Sequence, residues 1–194
     1  MAKLIGPKKF KTAVFISGAG SNLKNLIKFS LSKKTPIKIT LVISSNRKAK
    51  GLKFSKKFKI KSNIFNFLEK KKSETKILKI LKRNKIELIC LAGFMKILSR
   101  SFIKNFKGKI INIHPSLLPK YKGLNTYKRA IANNEKFSGC TVHIVNSKLD
   151  SGKIILQKKV KLSKNENAEN LKKKILKQEH ILYPKAIKKL LSNL

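Results

Sequence analysis

The sequence predicts an α/β fold: a single domain over residues 1–194, built on a Rossmann-like, doubly wound, mostly parallel sheet with late antiparallel strands. Three observations predict it. Short apolar, β-branched runs alternate with helix-period segments through the first half, the pattern of parallel strands joined by right-handed crossovers. A glycine-containing turn, Gly18-Ala19-Gly20-Ser21-Asn22, links the first strand to the first helix. Two strand-like runs late in the chain lie close in sequence, which suits antiparallel pairing.

Taken in order, residues 12–16 (TAVFI) form a short apolar strand, and residues 1–11 before it read as a flexible extension without a signal peptide. Leu23, Leu26, Ile27 and Leu31 then repeat at helix spacing, with Ser21 or Asn22 available as a cap. Residues 37–44 (IKITLVIS) make a second strand, 48–58 a helix and 62–67 a short third strand. Ile77, Leu78 and Leu81 stripe a helix over 75–84, and Lys70-Lys71-Lys72 is a loop or helix start. Residues 87–92 (ELICLA) are a buried strand, Ser99 opens a short helix, and 109–113 form the next strand. A helix over 127–133 precedes the late strands, 141–145 and 153–160. A final amphipathic helix spans 167–191, with Leu171, Ile175, Ile181 and Leu182 inward and Pro184 as a kink or break.

The net charge of +40 is extreme. The basic residues are nearly all lysine and are spread along the whole chain; the only arginines are Arg47, Arg83, Arg100 and Arg129. Readers of bases and phosphates favour the bidentate fork of arginine. A chain rich in Lys, Asn and Ile also matches an AT-rich coding sequence. The charge therefore reads as a solvated surface bias that steers anionic small substrates, not as a nucleic-acid site. Hydrophobic content of 41% suits a packed core, and no apolar run approaches the roughly 20 residues of a spanning helix. Cys90 and Cys140 show no metal spacing; Cys90, inside an apolar run, reads as a buried thiol in a reducing cytoplasm.

The chemistry gathers in Asn112-Ile113-His114-Pro115-Ser116-Leu117-Leu118-Pro119 and in Asp150, the only aspartate of the chain. Pro115 and Pro119 each remove a backbone donor and fix φ, so regular structure stops after His114. Asn112 and His114 thus stand at a strand end, where open α/β sheets place their sites. An amide can donate to a developing oxyanion, an imidazole can handle a proton, and a carboxylate can set the imidazole's charge. Beside Asp150, His114 is expected to be cationic. Each residue also has a plain structural role available: Asn112 as a strand end, His114 as a satisfied loop histidine, Asp150 as an exposed turn former before Ser151-Gly152. Gly20, Ser21 and Asn22 open a helix whose N-terminus can hold an anion. The turn lacks the third glycine of a dinucleotide fingerprint, so it fits one phosphate better than two.

In combination and order, several segments resemble the phosphoribosylglycinamide formyltransferase family of folate-dependent purine biosynthesis. They are residues 16–23 (ISGAGSNL), 91–98 (LAGFMKIL), 112–123 (NIHPSLLPKYKG), 139–143 (GCTVH), 149–157 (LDSGKIILQ) and 178–184 (QEHILYP), so the resemblance runs from about Thr12 to Pro184. It implies the formyltransferase fold, 10-formyltetrahydrofolate as formyl donor, no metal, and glycinamide ribonucleotide as acceptor. It further implies Asn112, His114 and Asp150 as catalytic residues. Gly20, Ser21 and Asn22 would hold the ribonucleotide phosphate, and Glu179 the ribose hydroxyls. Met95, Lys96, Ile97, Leu98 and Asn112 would bind the folate, with residues 146–150 folding over the pterin and Lys70 replacing an arginine common there. The partners implied are these small molecules, with no specific nucleic acid and no membrane, in a cytoplasmic monomer or homodimer. One departure is Asn125 and Tyr127, where the family commonly shows two histidines. A tRNA formyltransferase would be expected to carry a second, C-terminal domain, and a formyltetrahydrofolate deformylase an N-terminal regulatory one. A non-catalytic polyanion-binding protein would gather its lysines on one face.

Overall fold

Runs of apolar residues buried on both sides make the centre of this protein. In a computed structural model, which describes residues 9–192, Ala13, Val14, Phe15 and Ile16 of β1 (Phe10–Ile16) have no solvent exposure. That is the signature of a strand covered on both faces, as parallel sheets require. Among the described residues, seven strands form a mostly parallel sheet in the order β3-β2-β1-β4-β5-β6-β7. The chain divides into two compact units: one runs to Lys96 and includes Phe106–Lys109, and the other holds Ile97–Asn105 and the chain from Ile110 onward.

In the first unit, β1 pairs in parallel with β2 (Ile37–Ser44) and β4 (Leu88–Leu91), and β2 with β3 (Lys61–Ile64). The connections are α1 (Ser21–Leu31), α2 (Leu52–Lys57), and a 3-10 turn at Phe67–Glu69 that leads into α3 (Lys70–Arg83). Leu23, Leu26 and Ile27 of α1, and Ile77 and Leu81 of α3, are buried at the i, i+3, i+4 spacing that puts them on one helix face. β1 starts at Phe10, opposite Ile37, and not at Thr12. Phe10 and Lys11 are therefore strand residues, while the expectation of a flexible extension lies, up to residue 8, outside the described residues. The third strand stops at Ile64, short of residue 67, because Phe67 enters the 3-10 turn with Asn66 Oδ1 accepting from Leu68 N–H. Lys70-Lys71-Lys72 form the first turn of α3, which begins earlier than its apolar stripe.

The second unit holds α4 (Arg100–Asn105), the greater part of β5 (Lys109–His114), α5 (Thr126–Ala132), β6 (Phe137–Ile144), β7 (Ile154–Lys161) and α6 (Ala168–Leu191). β6 runs antiparallel to β7, as expected of strands so close in sequence, and antiparallel to β5 as well. Asn167 caps α6, its side chain accepting from Asn170 N–H. The fully buried Tyr183 donates its hydroxyl to Ile111 O at 3.3 Å, tying α6 to β5.

Of the kink or break expected at Pro184, the break does not occur: the helix is continuous from Ala168 to Leu191. Proline costs it one hydrogen bond, and the buried Tyr183, Ala186 and Ile187 beside it hold the helix in place. One expectation for the inward stripe is corrected. Ile181 is 51% exposed: the buried stripe passes through Leu182, Tyr183 and Ala186, about 100° away from it.

Candidate active site

β5 and β6 bring the chemistry together. Period-two alternation puts Asn112 and His114 on one face of β5, and the antiparallel register sets Asn112 directly opposite His143 and His114 opposite Thr141. Asn112 Nδ2 lies 3.3 Å from His143 Nε2. The other ring nitrogen of His143, Nδ1, is 2.9 Å from Ile144 O. A carbonyl only accepts, so Nδ1 carries a proton. In the neutral ring Nε2 is then an acceptor, available to the Asn112 amide.

Asp150 joins this pair to His114. Its Oδ2 lies 3.4 Å from His114 Nδ1, and its Oδ1 lies 3.6 Å from His143 Nε2. Oδ2 also accepts from Gly123 N–H at 2.9 Å. The turn that delivers Asp150 is tightly specified. Asp150 adopts φ 44°, and a Cβ on Gly152 would sit 1.7 Å from Ile144 O, so only glycine fits there. The carboxylate side chain is 9% exposed, which corrects the expectation of an exposed turn residue. The structure thus brings Asn112, His114 and Asp150 into one cluster at the carboxyl end of β5.

The electrostatics correct the expected charge of His114. His114 Nε2 lies 2.9 Å from Tyr121 O, so Nε2 bears the proton and Nδ1 faces Asp150. Burial holds the imidazole pKa below its ordinary 6.5; the Tyr121 carbonyl and Asp150 push upward, His143 and Arg129 push downward, and the balance stays low. His114 is therefore neutral near pH 7, because desolvation outweighs the carboxylate. For Asp150, burial pushes the carboxyl up, but a proton shared with it by His143, the Gly123 amide and a positive charge on His114 or His143 bring it below the usual carboxylate value. The site rests as a carboxylate between two histidines.

His143 carried no assigned role in the sequence, although it lies within the GCTVH segment. Its relevance depends on the β5–β6 register, which no local pattern specifies. The same holds for Tyr121 and Gly123, which act through backbone atoms, and for Arg129.

Glu179 is buried on α6. Burial first, and then the Glu179 carboxylate, raise the Tyr127 hydroxyl and push the Cys140 thiol up to about 12. Ile97 is exposed and Leu98 is buried.

In the first unit, Gly20 is the N-cap of α1, with φ 75° and no side-chain cap, so neither Ser21 nor Asn22 takes that place. Asn22 is buried and Ser21 half-buried. The turn is shaped by a glycine–glycine contact: a Cβ on Gly20 would lie 2.5 Å from Gly51 Cα, and Gly51 N–H donates to Gly18 O at 2.9 Å. Met95 N–H donates to Ser17 Oγ at 2.8 Å, while the side chains of Met95 and Lys96 are exposed. Phe94 anchors that segment edge-on against Phe15 and Phe67, at 5.3 and 5.5 Å between ring centroids. Lys70 is exposed at the start of α3.

Among the described residues no group of three or more His, Cys, Asp and Glu is arranged to hold a metal ion, and no helix is long and apolar enough to cross a membrane. Cys90 and Cys140 are both buried, and neither forms a disulfide.

Residues 10–187 match the family model described as formyl transferase. The chain is 44% identical over 181 residues to the phosphoribosylglycinamide formyltransferase of Haemophilus influenzae, covering 92% of this chain and 85% of that protein. It is 38% identical over 190 residues to the trifunctional purine biosynthetic protein adenosine-3 of Drosophila melanogaster, covering 95% of this chain and 14% of that longer protein. Among solved structures, it is similar to the phosphoribosylglycinamide formyltransferase of Brucella melitensis, with a TM-score of 0.89 at 40% identity over 94% of this chain and 96% of the other.

Proposed function

We propose, from the premise that the chain belongs to the formyl transferase family, that it transfers the formyl group of 10-formyltetrahydrofolate to the amine of glycinamide ribonucleotide in de novo purine biosynthesis. Residues 1–194 then act as one formyltransferase domain, in the cytoplasm. The observation that carries the reading is the Asp150 carboxylate set between His114 and His143, with Asn112 against His143.

The neutral amine of the ribonucleotide attacks the formyl carbon, so no activated serine or cysteine is needed. As the carbon becomes tetrahedral, its oxygen gains negative charge. Asn112 has two amide protons; one is directed at His143, and the other donates to this oxyanion. The attacking nitrogen must lose a proton and the departing folate nitrogen must gain one. With Nε2–H committed to Tyr121 O, the free acceptor of His114 is Nδ1. It takes the proton, and Asp150 stabilises the imidazolium that forms. The proton then passes to the leaving nitrogen, with Asp150 and water relaying it, and the old C–N bond breaks. A neutral resting His114 suits this task better than a standing cation, because a base must begin unprotonated.

For binding, the amides of Gly20, Ser21 and Asn22 at the N-terminus of α1 suit the phosphate. Buried Glu179 suits the ribose hydroxyls. The backbone of Met95, Lys96, Ile97 and Leu98 suits the pterin, and Lys70 contributes to folate binding through charge. The lysine-rich surface favours both anionic substrates by steering.

The test is a direct comparison of purified enzyme with glycinamide ribonucleotide, with methionyl-tRNA, and with water alone as formyl acceptor. Transfer to the ribonucleotide should dominate. Transfer only to tRNA, or hydrolysis unaffected by the ribonucleotide, would overturn the reading.

A further inference from the structure

The turn after the proline-rich segment does more than connect β5 to α5. Two of its backbone groups hold the catalytic pair: Tyr121 O accepts from His114 Nε2 at 2.9 Å, and Gly123 N–H donates to Asp150 Oδ2 at 2.9 Å. The turn reaches this arrangement through an unfavourable backbone. Tyr121 has φ 56°, Gly123 φ 77° and Asn125 φ 58°, and two of these three residues carry a Cβ. Side-chain-bearing residues in that region persist only when their surroundings hold them there.

Arg129, one turn into α5, supplies that hold. Its Nη1 donates to Lys122 O at 2.7 Å and to Leu124 O at 3.3 Å. Its guanidinium carbon lies 5.1 Å from the centre of the Tyr121 ring. One side chain thus grips Tyr121, Lys122 and Leu124, on both sides of Gly123. The remaining contacts of the turn act on side chains: Tyr121 Oη donates to Glu135 and accepts from Asn133, and Lys122 Nζ donates to Ser151. Among these contacts, the tie on the backbone carbonyls, whose placement sets where Tyr121 O and Gly123 N–H point, comes from Arg129. A lysine cannot replace it, since a compact ammonium does not combine a planar donor edge with stacking on a ring.

We propose that Arg129 is a positioning residue of this enzyme, locking the 121–124 turn so that it fixes the tautomer of His114 and the orientation of Asp150. This rests on the assignment of proton transfer to His114 and Asp150. Arg129 touches no reacting atom; it acts through the turn. Its charge has a second consequence. His114 is faced by Asp150, His143 and Arg129, and of these Arg129 and His143 oppose its protonation. Replacing Arg129 by a neutral side chain therefore raises the pH at which His114 takes up a proton.

The experiment compares the parent enzyme with Arg129→Gln, Arg129→Lys and Arg129→Ala. Turnover should fall by about 10- to 100-fold in all three, the cost of a small misplacement of catalytic groups, while KM for both substrates changes by less than about threefold. Added ethylguanidinium should restore part of the turnover of Arg129→Ala. The acid limb of the pH–rate profile should move to higher pH in Arg129→Gln and stay near the parental position in Arg129→Lys. Nitrogen NMR of labelled histidine gives a readout independent of catalysis: the parent should show His114 as a single Nε2–H tautomer, and the variants a mixture. Parental turnover in Arg129→Gln and Arg129→Lys, or an unchanged His114 tautomer in folded variants, would overturn the proposal. If the parent transferred no formyl group, the functional reading would fail, and the tautomer measurement would still decide the role of Arg129.

Discussion

Asn112 and His143 stand directly opposite each other across β5 and β6, with Asn112 Nδ2 3.3 Å from His143 Nε2. The contact uses one amide proton of Asn112 and orients the other. It makes the proposed oxyanion donor depend on a strand that is separated from it by 31 residues. Asn112→Ala should lower kcat by about 10²- to 10³-fold, the scale of losing an oxyanion donor, with KM little changed. His143→Leu should leave the donor present but unaligned and cost about tenfold or more. Steady-state kinetics of both variants check this; equal kcat in His143→Leu and the parent would remove His143 from the site.

Asp150→Asn keeps the shape of the side chain and its acceptance from Gly123 N–H, but removes the charge beside His114. Turnover should fall by roughly 10²-fold or more. Asp150 raises the pKa of His114, so its neutralisation lowers that pKa further. The acid limb of the pH–rate profile should then move to lower pH. A parental rate and profile would reduce Asp150 to a turn residue.

The low pKa of His114 links stability to pH. Its unfolded value is near 6.5 and its folded value lies below that. Between the two, the unfolded chain binds more protons than the folded one, so stability is complete above about pH 6.5 and declines as pH falls toward the folded value. His180, lowered by burial, adds to the same decline. Urea unfolding midpoints should therefore drop between about pH 7.5 and about pH 5.5, and His114→Gln should lessen the drop without abolishing it. A midpoint that rises on acidification through this window would contradict the neutral state of His114.

Gly20 and Gly18 lie two residues apart but differ in what a side chain would meet. A Cβ on Gly20 would strike Gly51 Cα at 2.5 Å in a backbone of φ 75°, whereas a Cβ on Gly18 would meet nothing within 4 Å. Gly20→Ala should cost about 1–3 kcal/mol, a loss of several degrees in melting temperature, and raise KM for the ribonucleotide. Gly18→Ala should change stability by no more than about 0.5 kcal/mol in either direction. Calorimetry of the two variants separates them.

The order of strands and helices was legible in the sequence because short apolar runs and 3.6-residue stripes are local properties. Boundaries were less so. Phe10 and Lys11 join β1 because Ile37 and Lys38 lie opposite them, and Phe137 to Cys140 join β6 because Lys158 to Lys161 offer partners. Neither partner is visible from the residues themselves. Ile181 shows the same limit: its apolarity is plain, but the phase of the buried stripe is set by what α6 packs against.

By itself, the sequence determined the residue types and motif order that mark a formyl transferase, the strand end at Asn112 and His114, and the glycine turn before α1. Tertiary structure alone decided which groups meet and what charge they carry. The β5–β6 register selected His143 as the partner of Asn112. The backbone of the 121–124 turn assigned the proton of His114 to Nε2. Burial made that histidine neutral where an adjacent carboxylate alone would have made it a cation. The physical reason is the same in each case: register and desolvation are set by atoms far apart in the chain, and a sequence pattern records only what lies within a few residues.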